Sequence, residues 1–188
     1  VKNLDESEIL DSSFIEFILK APVELDSRIF SMLKDKREQM IASWGAENME
    51  TLFSNIYSNE LYRAVEEEST ERMERILNEF IPVYMQGDSL KIRSAQFATK
   101  KLFFANTLNW DEYNDAVLDM YQQYNTGDDM FLYQQAYEVA SEHNAHQEAI
   151  ANAINWMKEA ISLNDSFDNH VMMIYLLGID TNFKLARE

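Results

Sequence analysis

No cysteine occurs among the 188 residues, and the whole chain has only four glycines and two prolines. Without a thiol the chain forms no disulfide and carries out no dithiol redox chemistry of its own, and its cysteine usage identifies no compartment. The shortage of glycine and proline bears on fold class. An all-β chain of this length turns tightly many times, and such turns need residues that tolerate φ > 0 or hold φ fixed. The expected class is therefore all-α.

Other absences narrow the chemistry. Glycines stand only at 45, 87, 127 and 178, so no Gly-rich phosphate loop can be written. A Gly-x-Ser-x-Gly elbow and a His-Glu-x-x-His helix are missing as well. These gaps argue against an enzyme and leave open a site assembled from distant residues, since triad members need not be neighbours in sequence. No cofactor is expected. No apolar run approaches the ~20 residues that span a bilayer, and the opening "VKNLDESEIL" has neither the basic end nor the apolar core of a signal peptide. The expectation is a chain without a membrane span. It opens on Val1 and stops in "FKLARE", within an apparent helix, which suggests a processed or excised piece; a removed initiator Met explains the opening equally well.

What is present is apolar and acidic. Hydrophobic residues make up 46% and aromatic residues 12%, too much for a wholly disordered chain. The net charge of −17 is unevenly spread: between Lys101 and Lys158 there is no Lys or Arg, against nine acidic residues. Such a field repels phosphate backbones and anionic lipid surfaces, so nucleic acid is not expected as a partner.

The breaks "QGDS" and "TGDD" each pair a glycine able to end one helix in the left-handed conformation with an aspartate able to cap the next. Gly45 and Gly178 suggest two further joints. Between them, Met49, Leu52, Phe53, Ile56 and Tyr57, and then Met73, Ile76, Leu77, Phe80, Ile81 and Tyr84, follow helical spacing. Pro82 lies inside the second stripe, where a kink or an early end is expected. The pattern predicts about ten helices, at 7–20, 26–44, 48–66, 70–85, 88–105, 110–124, 129–142, 147–163, 167–177 and 180 onward, paired antiparallel through short turns.

Residues 148–165, "EAIANAINWMKEAISLND", set Ala149, Ala153 and Ala160 beside Ile150, Ile154 and Ile161. Small residues where helices cross let backbones approach, and larger neighbours fill the gaps. "DEYNDAVLDMY" aligns with this stretch so that Ala116 matches Ala153 and Met120 matches Met157, each 37 residues apart. A third copy is expected to begin at "GIDTNFKLARE". Two helices per unit at such a period mark a helical solenoid. Residues 88–188 are read as this array, and 1–87 as an N-terminal bundle or a further part of it.

Ala153, Met157, Ala160, Ile161, Leu163, Asn164 and Asp165 resemble the second helix of the tetratricopeptide repeat and its exit turn. Departures exist: Asp165 replaces the usual exit proline, the Trp and Leu-Gly signature is missing around Tyr137 to Ser141, and Phe183 takes the alanine place of the third copy. "FIEFILKA" (14–21), "AYEVASEHN" (136–144) and "AINWMKEAISLNDSFDNHVMMIYLLG" (153–178) are also similar to the helical tail that follows a thioredoxin-like domain in exported Bacteroidota proteins. That similarity implies an exported thiol-disulfide protein whose dithiol site precedes Val1, with this chain as its accessory domain.

Candidate sites are few. His143 and His146, beside Glu142 and Glu148, form the one cluster that looks metal-like, but zinc wants three or four converging ligands and His170 belongs to another helix. A solvated turn is the simpler reading. "VEEESTERMER" (65–75) offers carboxylates, yet Arg72 and Arg75 stand among them and Ser69 or Thr70 can cap the next helix, which fits a solvated helix end. Asp111, Asp115 and Asp119 repeat every four residues, where like charges each disfavour the helix by about a few tenths of a kcal/mol. With Glu138 they are read either as an acidic face for a basic partner or as a device for solubility. The Met-rich stretch "HVMMIYLLG" reads as core or as cover for a missing neighbour. The expected function is a non-catalytic helical-repeat module binding a protein or peptide, with apolar or basic segments favoured. The alternative is a structural cap or dimerisation piece without a ligand.

Overall fold

The computed structural model describes residues 23–186, and the expected helix at 7–20 lies outside them. Among the described residues there are eight helices and no strand. They are α1 (Arg28–Trp44), α2 (Ala46–Glu66), α3 (Thr70–Arg75, continued by Ile76–Phe80 and Ile81–Tyr84), α4 (Ser89–Asn106), α5 (Trp110–Tyr124), α6 (Asp129–Glu142), α7 (Gln147–Leu163) and α8 (Phe167–Leu185). The count of about ten falls partly because Gly178 ends nothing. Its backbone is helical and α8 runs through it, joining the two last expected helices into one.

The other joints follow from local chemistry. Gly87 (φ 74°) and Gly127 (φ 84°) are left-handed, and Asp88 and Asp128 accept amide protons from Leu90 and Lys91 and from Phe131. Gly45 alone separates α1 from α2, its N–H bonding to the Ile41 carbonyl. Pro82 lies in the last turn of α3. A π-helical turn over Ile76–Phe80 shifts the hydrogen-bond register just before the proline, so that Ile81 donates to Ile76. The helix then closes at Tyr84.

The chain divides into two compact units, Val1–Thr99 and Lys100–Glu188, the division falling within α4. In the first, α1, α2 and α3 bury Phe30, Leu33, Phe53, Ile56, Ile76 and Phe80. Phe30, Phe53, Tyr57, Phe80 and Tyr84 form an aromatic cluster with centroids 5.2 to 6.1 Å apart. In the second, α7 is central and packs on α5, α6 and α8. Its alanine row is the reason it can: Ala149, Ala153 and Ala160 are buried with Ile150, Trp156 and Met157. Trp156 Nε1 donates to Asn114 Oδ1 at 2.9 Å and Asn152 Nδ2 to the Trp110 carbonyl at 3.0 Å, fixing α7 against α5. Buried Asn169 at the start of α8 donates to the Asn164 and Ala160 carbonyls and to Asp129 Oδ2, which ties the α7–α8 turn to α6.

Candidate functional site

The residues of α6 alternate between two roles. Leu132, Gln135, Ala136, Val139 and Ala140 are buried, while Tyr133, Tyr137 and Ser141 repeat every four residues on the other side, next to Gln134, Glu138 and Glu142. These six line an open groove of about 420 Å³. Tyr137 is 58% exposed, and Glu142 is exposed as well. Two phenol rings beside a carboxylate give a platform on which an alkyl or aromatic side chain can lie and a cation can be held by charge and by the ring faces.

Glu138 has a more structural part. Its carboxylate takes the Lys101 ammonium at 2.5 Å and the Tyr113 hydroxyl at 3.1 Å, and Lys101 also donates to Gln135 at 2.6 Å. Burial, and then the Glu138 charge, push the Tyr113 phenol well above its ordinary range. Glu138 is thus neutralised at the inner edge of the groove, and Glu142 supplies its outer charge. Asp111, Asp115 and Asp119 are exposed along α5. Asn109 caps that helix, its Oδ1 accepting from the Glu112 N–H.

Among the packing positions, Ala116, Ala153, Met157 and Ala160 are buried, and Met120 is half-buried. The 178–188 copy starts inside α8 with no turn before it, and Phe183 there is half-buried.

The histidines do not lie free in a turn. His143 and His146 both pack on Trp110, with centroids 5.2 and 4.9 Å away, and His143 also meets Tyr113 edge-on. No cluster of metal-ligating residues occurs among the described residues. Desolvation lowers the His143 pKa, with Glu138 and Glu142 opposing and His146 and Lys101 reinforcing the shift.

In the 65–75 run, Ser69 caps α3 by accepting from the Arg72 N–H at 3.2 Å. Arg72 then reaches Glu60 at 2.9 Å and Glu67 at 3.2 Å. The run is a cap and an ion-pair set. A further concavity of about 520 Å³ borders Lys34, Arg37, Ile41, Pro82 and Gln86. Its arginine is committed: Arg37 donates to the Val83 and Tyr84 carbonyls, closing α3, and lies 4.5 Å from the Phe53 ring centre.

Tyr133 and Tyr137 are not among the candidate residues named from the sequence. The signal was there in their four-residue spacing beside Glu138 and Glu142, but tyrosines at helical spacing read equally as core. In comparisons with known proteins, no protein-family model, no curated protein and no solved structure matches the chain.

Proposed function

We propose that the chain is a non-catalytic helical interaction module that binds extended protein segments along the outer face of α6, through Tyr133, Tyr137 and Glu142. The observation that carries the reading is the groove itself, two tyrosines and an exposed carboxylate standing opposite the buried side of one helix. In a tetratricopeptide-like stacking, α6 and α7 form one hairpin with α6 on the ligand side. The buried alanine row of α7 against α5, α6 and α8 supports that arrangement. The acidic surroundings, with no Lys or Arg between 101 and 158, favour basic or apolar peptides over acidic ones. By its similarity to the tails of exported thioredoxin-like proteins, the module serves a redox domain of the same parent protein, holding clients or packing on that domain.

The test is titration with length-matched basic and acidic peptides, each carrying one aromatic residue. Basic peptides bind more tightly, and the gap narrows as salt is raised. Tyr137→Ala and Glu142→Gln each weaken binding about tenfold or less, as expected for loss of one ring contact or one charge at an open surface. Equal or stronger binding of the acidic set would sink the reading. The intact mass and thiol count of the endogenous protein test the redox parentage.

A further inference from the structure

α8 is apolar on two opposite sides. Asn169, Met172 and Leu176 face the body of the second unit and are buried. Phe167, Val171, Ile174, Gly178, Thr181 and Leu185 are all exposed, with Phe167 at 81% and Ile174 at 68%. Their spacing is 4, 3, 4, 3, 4, the alternation that keeps one straight line of contact along a helix and forms a coiled-coil seam. Tyr175 and Leu177, also exposed, flank the line on either side. A helix with an apolar stripe on each of two sides has one stripe left when its own unit covers the other.

We infer that the outer face of α8 is a self-association surface, on which a second copy of this chain packs its own α8 antiparallel. The seam fits its own reverse. Turned end for end, it sets Phe167 against Leu185 of the second copy, Val171 against Thr181 and Ile174 against Gly178. The last layer matches a large side chain to a position with no side chain, and around Gly178 there is open space for it. The flanks fit as well. A two-fold axis across the pair brings Tyr175 onto Tyr175 and Leu177 onto Leu177, sets Asp168 against the amide of Asn182, and sets His170 beside Lys184. Asp165 holds His170 and Asp180 holds Lys184, the latter at 2.6 Å. No carboxylate therefore meets a carboxylate along the seam, which matters in a chain of net charge −17. A parallel pairing lacks this match, since it stacks Gly178 on Gly178 and leaves a gap at the centre.

The seam is short. From Phe167 to Leu185 it runs about 27 Å at 1.5 Å per residue. One helix pair of that length falls near the lower end of specific interfaces, roughly 1,200 Å² in total. The dimer is correspondingly weak and reversible, with a Kd on the order of 10 μM. The surface is separate from the α6 groove, and the inference does not depend on peptide binding.

Sedimentation velocity of the chain from about 1 μM to about 300 μM brackets that value. Monomer converts to dimer across the range, and Ile174→Glu raises the Kd at least about tenfold with unchanged circular dichroism and unchanged peptide titration. Because the chain has no cysteine, orientation can be read directly. Chains carrying Ile174→Cys and Gly178→Cys, mixed and treated with a short bis-maleimide, couple to each other in preference to themselves. A monomer throughout the range, association of Ile174→Glu like that of the native chain, or preferential coupling of each variant to itself would each overturn the proposal.

Discussion

Glu60 of α2 and Arg72 of α3 meet at 2.9 Å with the carboxylate side chain only 2% exposed. An acid so placed depends on its partner, because a buried charge left alone loses both hydration and pairing. Arg72→Met is expected to destabilise the first unit by about 3 kcal/mol, the low end for breaking a buried pair, since the arginine itself keeps some solvent contact. Glu60→Leu with Arg72→Met recovers most of that loss, because the pair then becomes an apolar contact. Urea denaturation of the single and double variants measures both. A single-variant loss under about 1 kcal/mol would rank the pair with ordinary exposed ones.

Ala153 is completely buried where α7 packs on its neighbours, whereas Ala151, two residues away, is exposed. Ala153→Leu is expected to overpack the crossing and to cost about 1–3 kcal/mol. Ala151→Leu, with the same added volume and similar helix propensity, changes stability by no more than about 0.5 kcal/mol. Chemical denaturation followed by far-ultraviolet circular dichroism gives both values. Equal losses would place the cost in something other than the close approach of helices.

The features that were legible in the chain are those decided within one turn of helix. Gly87 with Asp88, and Gly127 with Asp128, state a helix end and a helix start in adjacent residues, and both turns form as expected. Glu68, Gln86 and Leu108 also adopt positive φ at helix ends, and no residue-type preference announces them. Glu138 shows the same limit at a site. Its acidity is plain in the sequence, but its partner Lys101 lies 37 residues away, and only the fold places the ammonium at the groove's edge. The two histidines looked like polar turn residues because their contact, Trp110, lies more than 30 residues earlier.

His143 links that contact to pH. Its folded pKa is lowered, first by desolvation, while the unfolded side chain titrates near 6.5. As pH falls, the unfolded chain takes up its proton before the folded chain does, so the neutral-His contribution is complete above about 6.5 and is lost as pH drops through the folded value. The melting temperature is expected to decline over that window. His143→Phe keeps a ring against Trp110 without a titrating nitrogen, so the native-minus-variant difference isolates this residue from the other acids. A difference independent of pH would show that His143 carries no such linkage.

Gly127 and Gly178 have equally open surroundings, since a Cβ built on either meets no atom within 4 Å. Steric room therefore cannot separate them, and only the backbone does. Gly127 sits at φ 84° between α5 and α6, a conformation that costs an L-residue roughly 1–2 kcal/mol. Gly178 has helical geometry inside α8, where glycine spends more backbone entropy on folding than alanine by about 0.5–1 kcal/mol. Gly127→Ala is accordingly expected to lower stability by about 1 kcal/mol or more and Gly178→Ala to raise it by about 0.5–1 kcal/mol. The comparison is made near 1 μM, roughly tenfold below the expected Kd, so that self-association does not contribute. Urea midpoints moving in opposite directions would establish that the last glycine of the chain is an interruption α8 tolerates, whereas a loss at both positions would show that Gly178 meets a constraint beyond its helical backbone.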